Sequence, residues 1–336
     1  MPDHCGGSAP AAVCLLKSKG YLREMRDEIE AVLSEVQKVI IGKRGVAEKL
    51  LMAILSRGHI LLDDVPGVGK TTLAVTMGRA MGLDYRRIQF TPDVLPSDIT
   101  GFSIYNKQTG AFDYKPGVVT EANILLGDEI NRTSSKTQSA LLEAMEEGQV
   151  TVDGVSHRLK TPFAVIATQN NVGTAGTQQL PYAQIDRFLI RVSVGYPDRE
   201  SQMAIIRDRQ RENPADHVEQ VVDCAGVLRM QDEVTEVTVK DSVIAYITEL
   251  AMATREHPMA ELGVSPRGAL SVCRMAKAAA YVRGRDYTVP EDVQAVFSDV
   301  CAHRIVLSQQ ARIKQVAAEQ ILAEVLKKTP VPDGKA

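Results

Sequence analysis

"LLDDVPGVGKTTLA" (Leu61–Ala74) decides how this chain is read. It comes close to the phosphate-binding pattern of glycine, four residues, then Gly-Lys-Ser/Thr. Gly69, Lys70 and Thr71 occupy the expected positions, but Asp64 stands where the first glycine belongs. Such a loop works because successive backbone N–H groups turn inward toward an anion and the following helix presents its N-terminus. Gly67 and Gly69 let the backbone approach closely, with Val65, Pro66 and Val68 between and before them. Lys70 reaches the terminal phosphates, Thr71 offers a hydroxyl to magnesium, and Thr72 opens the helix. Asp64 lies at the entrance, where a side chain is tolerable if it points away from the phosphates.

Three further stretches give the loop its context. "NILLGDEINR" (123–132) is an apolar run ending in Asp128 and Glu129. An acid at a buried strand's carboxyl end can hold magnesium, while its neighbour orients and deprotonates an attacking water. "AVIATQNN" (164–171) ends in Asn170, placed to bridge that water and the terminal phosphate, although an asparagine there also suits a turn. "PYAQIDRFLIR" (181–191) sets Arg187 before a last strand, where it can serve a neighbouring subunit as an arginine finger or simply form a surface ion pair. In "GVSPRGAL" (263–270), Ser265 is the N-cap and Pro266 the first turn of a helix. Arg267 then meets the positive end of the helix dipole, which disfavours a cation. A phosphate would relieve it; so would a nearby acid, and the phosphate is the preferred reading.

Working outward, the apolar runs at 59–64, 85–90, 122–129, 162–169 and 187–194 read as buried parallel strands with helices between them. The expected fold is an α/β P-loop architecture, a three-layer sandwich around a parallel five-stranded sheet, followed by a smaller all-α lid. Between Phe90 and Asn123 lies a long excursion, with a turn-rich "TPDVLPSDITG" and a hairpin-like "FSIYNKQTGAFDY". Helical spacing returns at 241–255, 266–282 and 291–301. The expected organisation is a loose N-terminal tail over 1–20, a nucleotide-binding core over 21–197 with an insert at about 91–117, and a helical lid over 198–330. Met25 opens the first helical pattern, which makes it a candidate for an alternative translation start.

Composition narrows the function classes. The 336 residues are 44% apolar and 24% charged with a net charge of −3, so bulk charge gives no reason to expect nucleic acid or an anionic membrane. Five scattered cysteines lack zinc or redox spacing and read as reduced thiols of a cytoplasmic protein. No apolar run reaches the roughly 20 residues of a membrane span.

"DDVPGVGKT", "LLGDEINRTSSKTQSALLEAMEEGQVTVDG", "PFAVIATQN", "GTQQLPYAQIDRF" and "SPRGAL" together resemble the MoxR family of AAA+ ATPases, over about Val39 to Arg304. In that family an acidic residue at the first loop position is common, which accommodates Asp64. The resemblance implies ATP and Mg2+ as ligands. It assigns Lys70 and Thr71 to Walker A, Asp128 and Glu129 to Walker B, Asn170 to sensor 1, Arg187 to the arginine finger and Arg267 to sensor 2. It also implies that Ile41 and Gly42 contact adenine and that the excursion after Phe90 is a helix-2 insert. The family implies a homo-oligomeric ring, typically hexameric, and chaperone-like activation of protein clients that often carry a von Willebrand factor A domain. Gly127 departs from the alanine frequent in the family, and the segment before Walker B is one residue longer than in many members. Two other readings of the same core are a metal-chelatase-like ATPase subunit and a DNA-acting motor. Arg132 and Arg191 are further candidates for the role given to Arg187, and Arg267 is expected to report the nucleotide state to the lid.

Overall fold

The computed structural model describes residues 26–64, 67–169, 180–208, 210 and 214–332. Ile29, Val32, Leu33 and Val36 form the buried face of α1 (26–39), which is followed by α2 (Arg44–Leu55). The chain continues through β1 (Ile60–Asp63), α3 (Lys70–Ala80) and β2 (Tyr85–Gln89). The excursion after Phe90 holds a short helix, α4 (Pro96–Thr100), and the antiparallel hairpin of β3 (Gly101–Asn106) and β4 (Ala111–Pro116). Next come β5 (Ile124–Asp128) and α5 (Ser135–Glu147), the latter capped by Ser134, whose hydroxyl accepts from the Thr137 amide. A second hairpin, β6 (Gln149–Val152) with β7 (Val155–Arg158), is absent from the sequence-based reading. Its signal is the Asp153–Gly154 tip, with both residues at positive φ, the pair a tight hairpin favours. The core closes with β8 (Ala164–Gln169), α6 (Tyr182–Ile185) and β9 (Ile190–Val192).

The five runs do form one parallel sheet, in the order β2–β5–β8–β1–β9. Their continuous apolar character follows from burial on both faces. Ile60, Leu62, Ile124, Leu126 and Ile166 pack on the side of α3, whereas Leu61, Leu125, Val165 and Ala167 pack on the side of α5. Successive side chains on a strand alternate faces, and each fully buried Leu or Ile contributes roughly 1.5–3 kcal/mol.

Beyond β9 the chain is mainly helical: α7 (Arg199–Asp208), α8 (Cys224–Glu236), α9 (Asp241–Arg255), α10 (Pro266–Val282), α11 (Pro290–Cys301), α12 (Gln309–Ile313) and α13 (Ala318–Lys328). To this all-helical expectation the structure adds one short antiparallel pair, β10 (Ala260–Leu262) with β11 (Val306–Leu307). The apolar faces of α8–α11 and α13 join α1, α2 and the α3 side of the sheet in one continuous cluster. Cys224, Cys273 and Cys301 are free thiols. No helix among the described residues is long and apolar enough to cross a membrane.

Two histidines are neutral parts of this core. His59 accepts from the Val165 amide at 3.0 Å and sits 3.0 Å from the Met145 carbonyl, to which Nε2 donates. Burial lowers its pKa to about 4, with the Met145 bond opposing. Burial also holds His303 well below the ordinary range, beside the Arg304 charge. A lowered folded-state pKa means the unfolded chain binds more protons, so the stabilisation is fully present above pH 6.5 and is lost as pH falls toward 4. The His59 ring keeps slight solvent contact, so its share of the loss by pH 5 is about 1–2 kcal/mol. Denaturant midpoints at pH 7.5 and pH 5 should show this loss. His59→Gln, which can make both hydrogen bonds without titrating, should show a smaller one.

Candidate active site

Strand register brings the Walker residues to one edge. Asp63 pairs with Gln169 and Gln89 with Asp128, so β1, β5 and β8 end at one level, the carboxyl edge where parallel α/β sheets hold ligands. Gly67 and Gly69 take φ of 84° and 90°, a left-handed conformation that favours glycine. Lys70 begins α3, is buried, and donates from Nζ to the Asp64 carbonyl at 2.9 Å. Burial draws its ammonium below the ordinary pKa, while Asp64, Asp128, Asp63 and Glu129 oppose that shift. A phosphate arriving here would add a further anion favouring the charged form. Thr71 and Thr72 continue the first turn. The Asp64 carboxylate turns away from the loop, its Oδ2 accepting from the Gly195 amide at 2.6 Å and the Ser193 hydroxyl at 3.1 Å. The non-glycine position thereby ties the loop to the chain leaving β9. Val65, Pro66 and Asn170 lie outside the described residues.

Thr168 organises the acidic pair. Its hydroxyl accepts from the Glu129 amide at 2.9 Å and donates to Asp128 Oδ1 at 3.3 Å. Glu129 adopts φ of 57°, a strained conformation for a side-chain-bearing residue and one that clusters at functional sites. Its carboxylate accepts from Gln89 at 3.1 Å and Arg132 at 2.7 Å, while Arg87 donates to Asp128 Oδ2 at 2.7 Å. Thr168, Arg87 and Gln89 escaped the sequence reading. The available signal was the spacing of Arg87 and Gln89, two polar residues at i and i+2 on one strand face. Asp128 and Thr71 offer a carboxylate and a hydroxyl, hard oxygens that suit Mg2+ completed by substrate phosphates. Among the described residues no cluster of three or more His, Cys, Asp or Glu could hold a metal unaided.

Of the other positions singled out in the sequence, Gly42 and Gly127 have close neighbours that explain the glycine. Gly42 lies against Ser201, where an added Cβ would come 2.2 Å from the hydroxyl oxygen, and Lys43 donates to the Tyr196 carbonyl at 2.9 Å. Gly42 and Lys43, which follow Ile41, thus border the segment after Gly195. Gly127 has a steric reason: a methyl there would approach Phe90 Cε2 to 2.9 Å.

Arg187 and Arg267 are at the opposite edge. The Leu189 amide donates to the His59 carbonyl at 2.7 Å, so Arg187 adjoins the start of β1. From His59 to Asp64 the strand advances about 16 Å, further than an arginine side chain extends. Arg187 Nε lies 3.0 Å from Glu146 Oε2, and Arg267 pairs with the other oxygen of the same carboxylate. Ser265 caps α10 as expected, accepting from the Gly268 amide at 3.1 Å. α10 starts beside the end of α5, and the anion beside Arg267 in the structure is Glu146, the nearby acid weighed as the alternative to a phosphate. Arg132 is engaged by Glu129, and Arg191 lies 3.0 Å from Glu319 and 3.9 Å from Asp63, so neither shares the place of Arg187.

Arg304 fixes this second edge. Almost fully buried, it donates to Asp186 Oδ1 at 2.6 Å and to the carbonyls of Asp186, Phe188 and Leu189 at 3.0, 2.7 and 3.1 Å. One guanidinium from beyond α11 thus holds the backbone on both sides of Arg187.

A phosphate loop and acidic pair on a five-stranded parallel sheet, with a helical lid, define a P-loop ATPase of the AAA+ type. The family model for the ATPase family associated with various cellular activities matches residues 59–190, and one for the AAA lid domain matches 252–325. A Bacillus subtilis protein, YeaC, whose function is uncharacterised, is 44% identical over 93% of this chain and 97% of its own. Chaperone MoxR1 of Mycobacterium tuberculosis is 38% identical over 92% of this chain and 83% of its own. The crystal structure of a presumed ATPase from Cytophaga hutchinsonii superposes with a TM-score of 0.87 at 39% identity, covering 95% of this chain and 99% of that one. The chain belongs to the MoxR family of AAA+ ATPases.

Removing one partner of a buried ion pair costs about 3–5 kcal/mol. Arg304→Ala should lower unfolding stability by that amount in denaturant titration, with Arg304→Lys recovering only part because lysine lacks the planar fork.

Proposed function

We propose that this chain is a magnesium-dependent ATPase that hydrolyses ATP to ADP and phosphate in a cytoplasmic homo-oligomeric ring, hexameric by family type. The observation that carries the reading is the split of the charged groups: Lys70, Asp128 and Glu129 at the carboxyl edge, Arg187 and Arg267 at the amino edge. In a ring, the amino edge of one copy faces the carboxyl edge of the next. Lys70 and the loop amides hold the phosphates, and Ile41 and Gly42 border the base. Thr71 and Asp128 would hold Mg2+, which when bound would supply positive charge against that developing on the phosphates. Glu129 accepts a proton from the attacking water, with Thr168 holding its backbone and Gln89 and Arg132 its carboxylate. Asn170 orients that water. Arg187 and Arg267 of the neighbour stabilise charge on the transferring phosphoryl group.

The work done with this cycle is remodelling or activation of a protein client, with a von Willebrand factor A domain protein as the partner. Near-full-length likeness to a chaperone supports this over metal insertion or movement on DNA, as does the absence of bulk positive charge. The hairpin of the insert offers a contact surface, with Phe102, Ile104, Tyr105 and Phe112 exposed and Tyr105 packed edge-on to Phe112 at 5.4 Å.

Glu129→Gln should bind a fluorescent ATP analogue with wild-type affinity and lose about 10²–10⁴-fold in turnover. Arg187→Ala should lose about 10³–10⁵-fold, and mixing the two variants should restore turnover at interfaces that combine an intact Glu129 with an intact Arg187. Undiminished turnover in Glu129→Gln contradicts its role as base, and absence of complementation contradicts the trans role of Arg187.

A further inference from the structure

The carboxylate that binds both amino-edge arginines has no role in the mechanism above. Glu146 lies in the last turn of α5, near the negative end of that helix dipole, where an acid is disfavoured. Arg267 lies in the first turn of α10, where a cation is disfavoured. Each is poorly placed for its own helix, and they meet each other. Glu146 also takes Arg187, whose Nε lies 3.0 Å from its Oε2. One carboxylate thus brings together a guanidinium from the sheet and one from the lid. The three side chains keep 36%, 31% and 49% of their surface exposed, and ion pairs that exposed add little stability. What the arrangement supplies is geometry.

The cavity they border has a volume of about 230 Å3. Small-molecule pockets run to about 300–1,000 Å3, so this space suits the anionic tip of a ligand and not a whole nucleotide. Cations exceed acids along its wall. Five arginines (Arg57, Arg187, Arg267, Arg274 and Arg304) line it against two acids, Glu146 and Asp186; Arg304 pairs with Asp186, and Arg187 and Arg267 share Glu146. Arg274 faces the same cavity and, among the described residues, donates to the backbone oxygens of Ser56 and Arg57.

We propose that Glu146 is a positioning residue. Its carboxylate holds Arg187 and Arg267 as a matched pair, so that together they receive the phosphoryl group of the neighbouring copy's nucleotide. This rests on the reading that both arginines act in trans. Glu146 does not touch the nucleotide bound to its own chain, whose loop is at the other edge of the sheet.

Glu146→Gln keeps the shape and removes the charge. Its kcat should fall about tenfold to a hundredfold, the scale of an ångström-level misplacement. Affinity for a fluorescent ATP analogue should stay within twofold of wild type, and the melting midpoint should move by no more than about 3 °C. Mixed with Glu129→Gln, the variant should regain turnover, because the Glu129→Gln copy supplies an intact arginine pair. Mixed with Arg187→Ala it should regain none. Wild-type turnover, or a rise indicating a restraining latch, overturns the proposal. So does loss of analogue binding, or no rescue by Glu129→Gln where Arg187→Ala is rescued. If Arg187→Ala is itself not rescued by Glu129→Gln, the trans reading fails and takes this proposal with it.

Discussion

Everything in this molecule is arranged around the polarity of one parallel sheet. All five strands run the same way, so residues just after a strand and residues just before it are held apart by the strand's own length. The phosphate loop comes after β1, and Asp128 and Glu129 lie at the end of β5. Arg187 precedes β9, and His59, at the start of β1, binds the helix end that carries Glu146. No rotation of side chains brings these two sets together within one copy. Under the proposed reading the fold therefore builds half a site on each of two edges, and association completes it.

The two edges are mechanically linked. Asp64 joins the loop to Gly195, from which the chain enters α7, and Gly42 packs against Ser201 in that helix. On the far side, Arg304 grips the backbone around Arg187, while Glu146 joins the sheet to the first turn of α10. The apolar cluster running from the α3 face of the sheet into α8–α11 leaves few soft places between them. A change at the phosphate loop can therefore be passed on as movement of packed helices, the shear type of motion such interfaces allow.

The parts legible in the sequence were those whose chemistry fixes residue type and spacing together. Doubly buried strands appear as contiguous apolar runs, so all five were visible. Lys70, Thr71, Asp128 and Glu129 could be singled out because they follow two of those strands at the spacing of a phosphate-loop motif and its acidic pair. The partners that organise them were not. Thr168, Gln89 and Arg87 become neighbours of the acidic pair only through sheet register, which a single strand does not reveal. Arg267 was recognisable as a cation in the wrong place, but a phosphate and a carboxylate satisfy that electrostatic requirement equally well. Glu146 met it because of where α10 points, a property of the packed lid. Gly127 likewise makes sense only once Phe90 lies over it.

The most direct test of a site divided between copies is ATP turnover per chain as a function of protein concentration, at saturating ATP and Mg2+, with assembly monitored by sedimentation in parallel. The account predicts that turnover per chain falls toward zero on dilution, in step with the loss of assembled species. Turnover per chain that stays constant while the protein sediments as a monomer would contradict it.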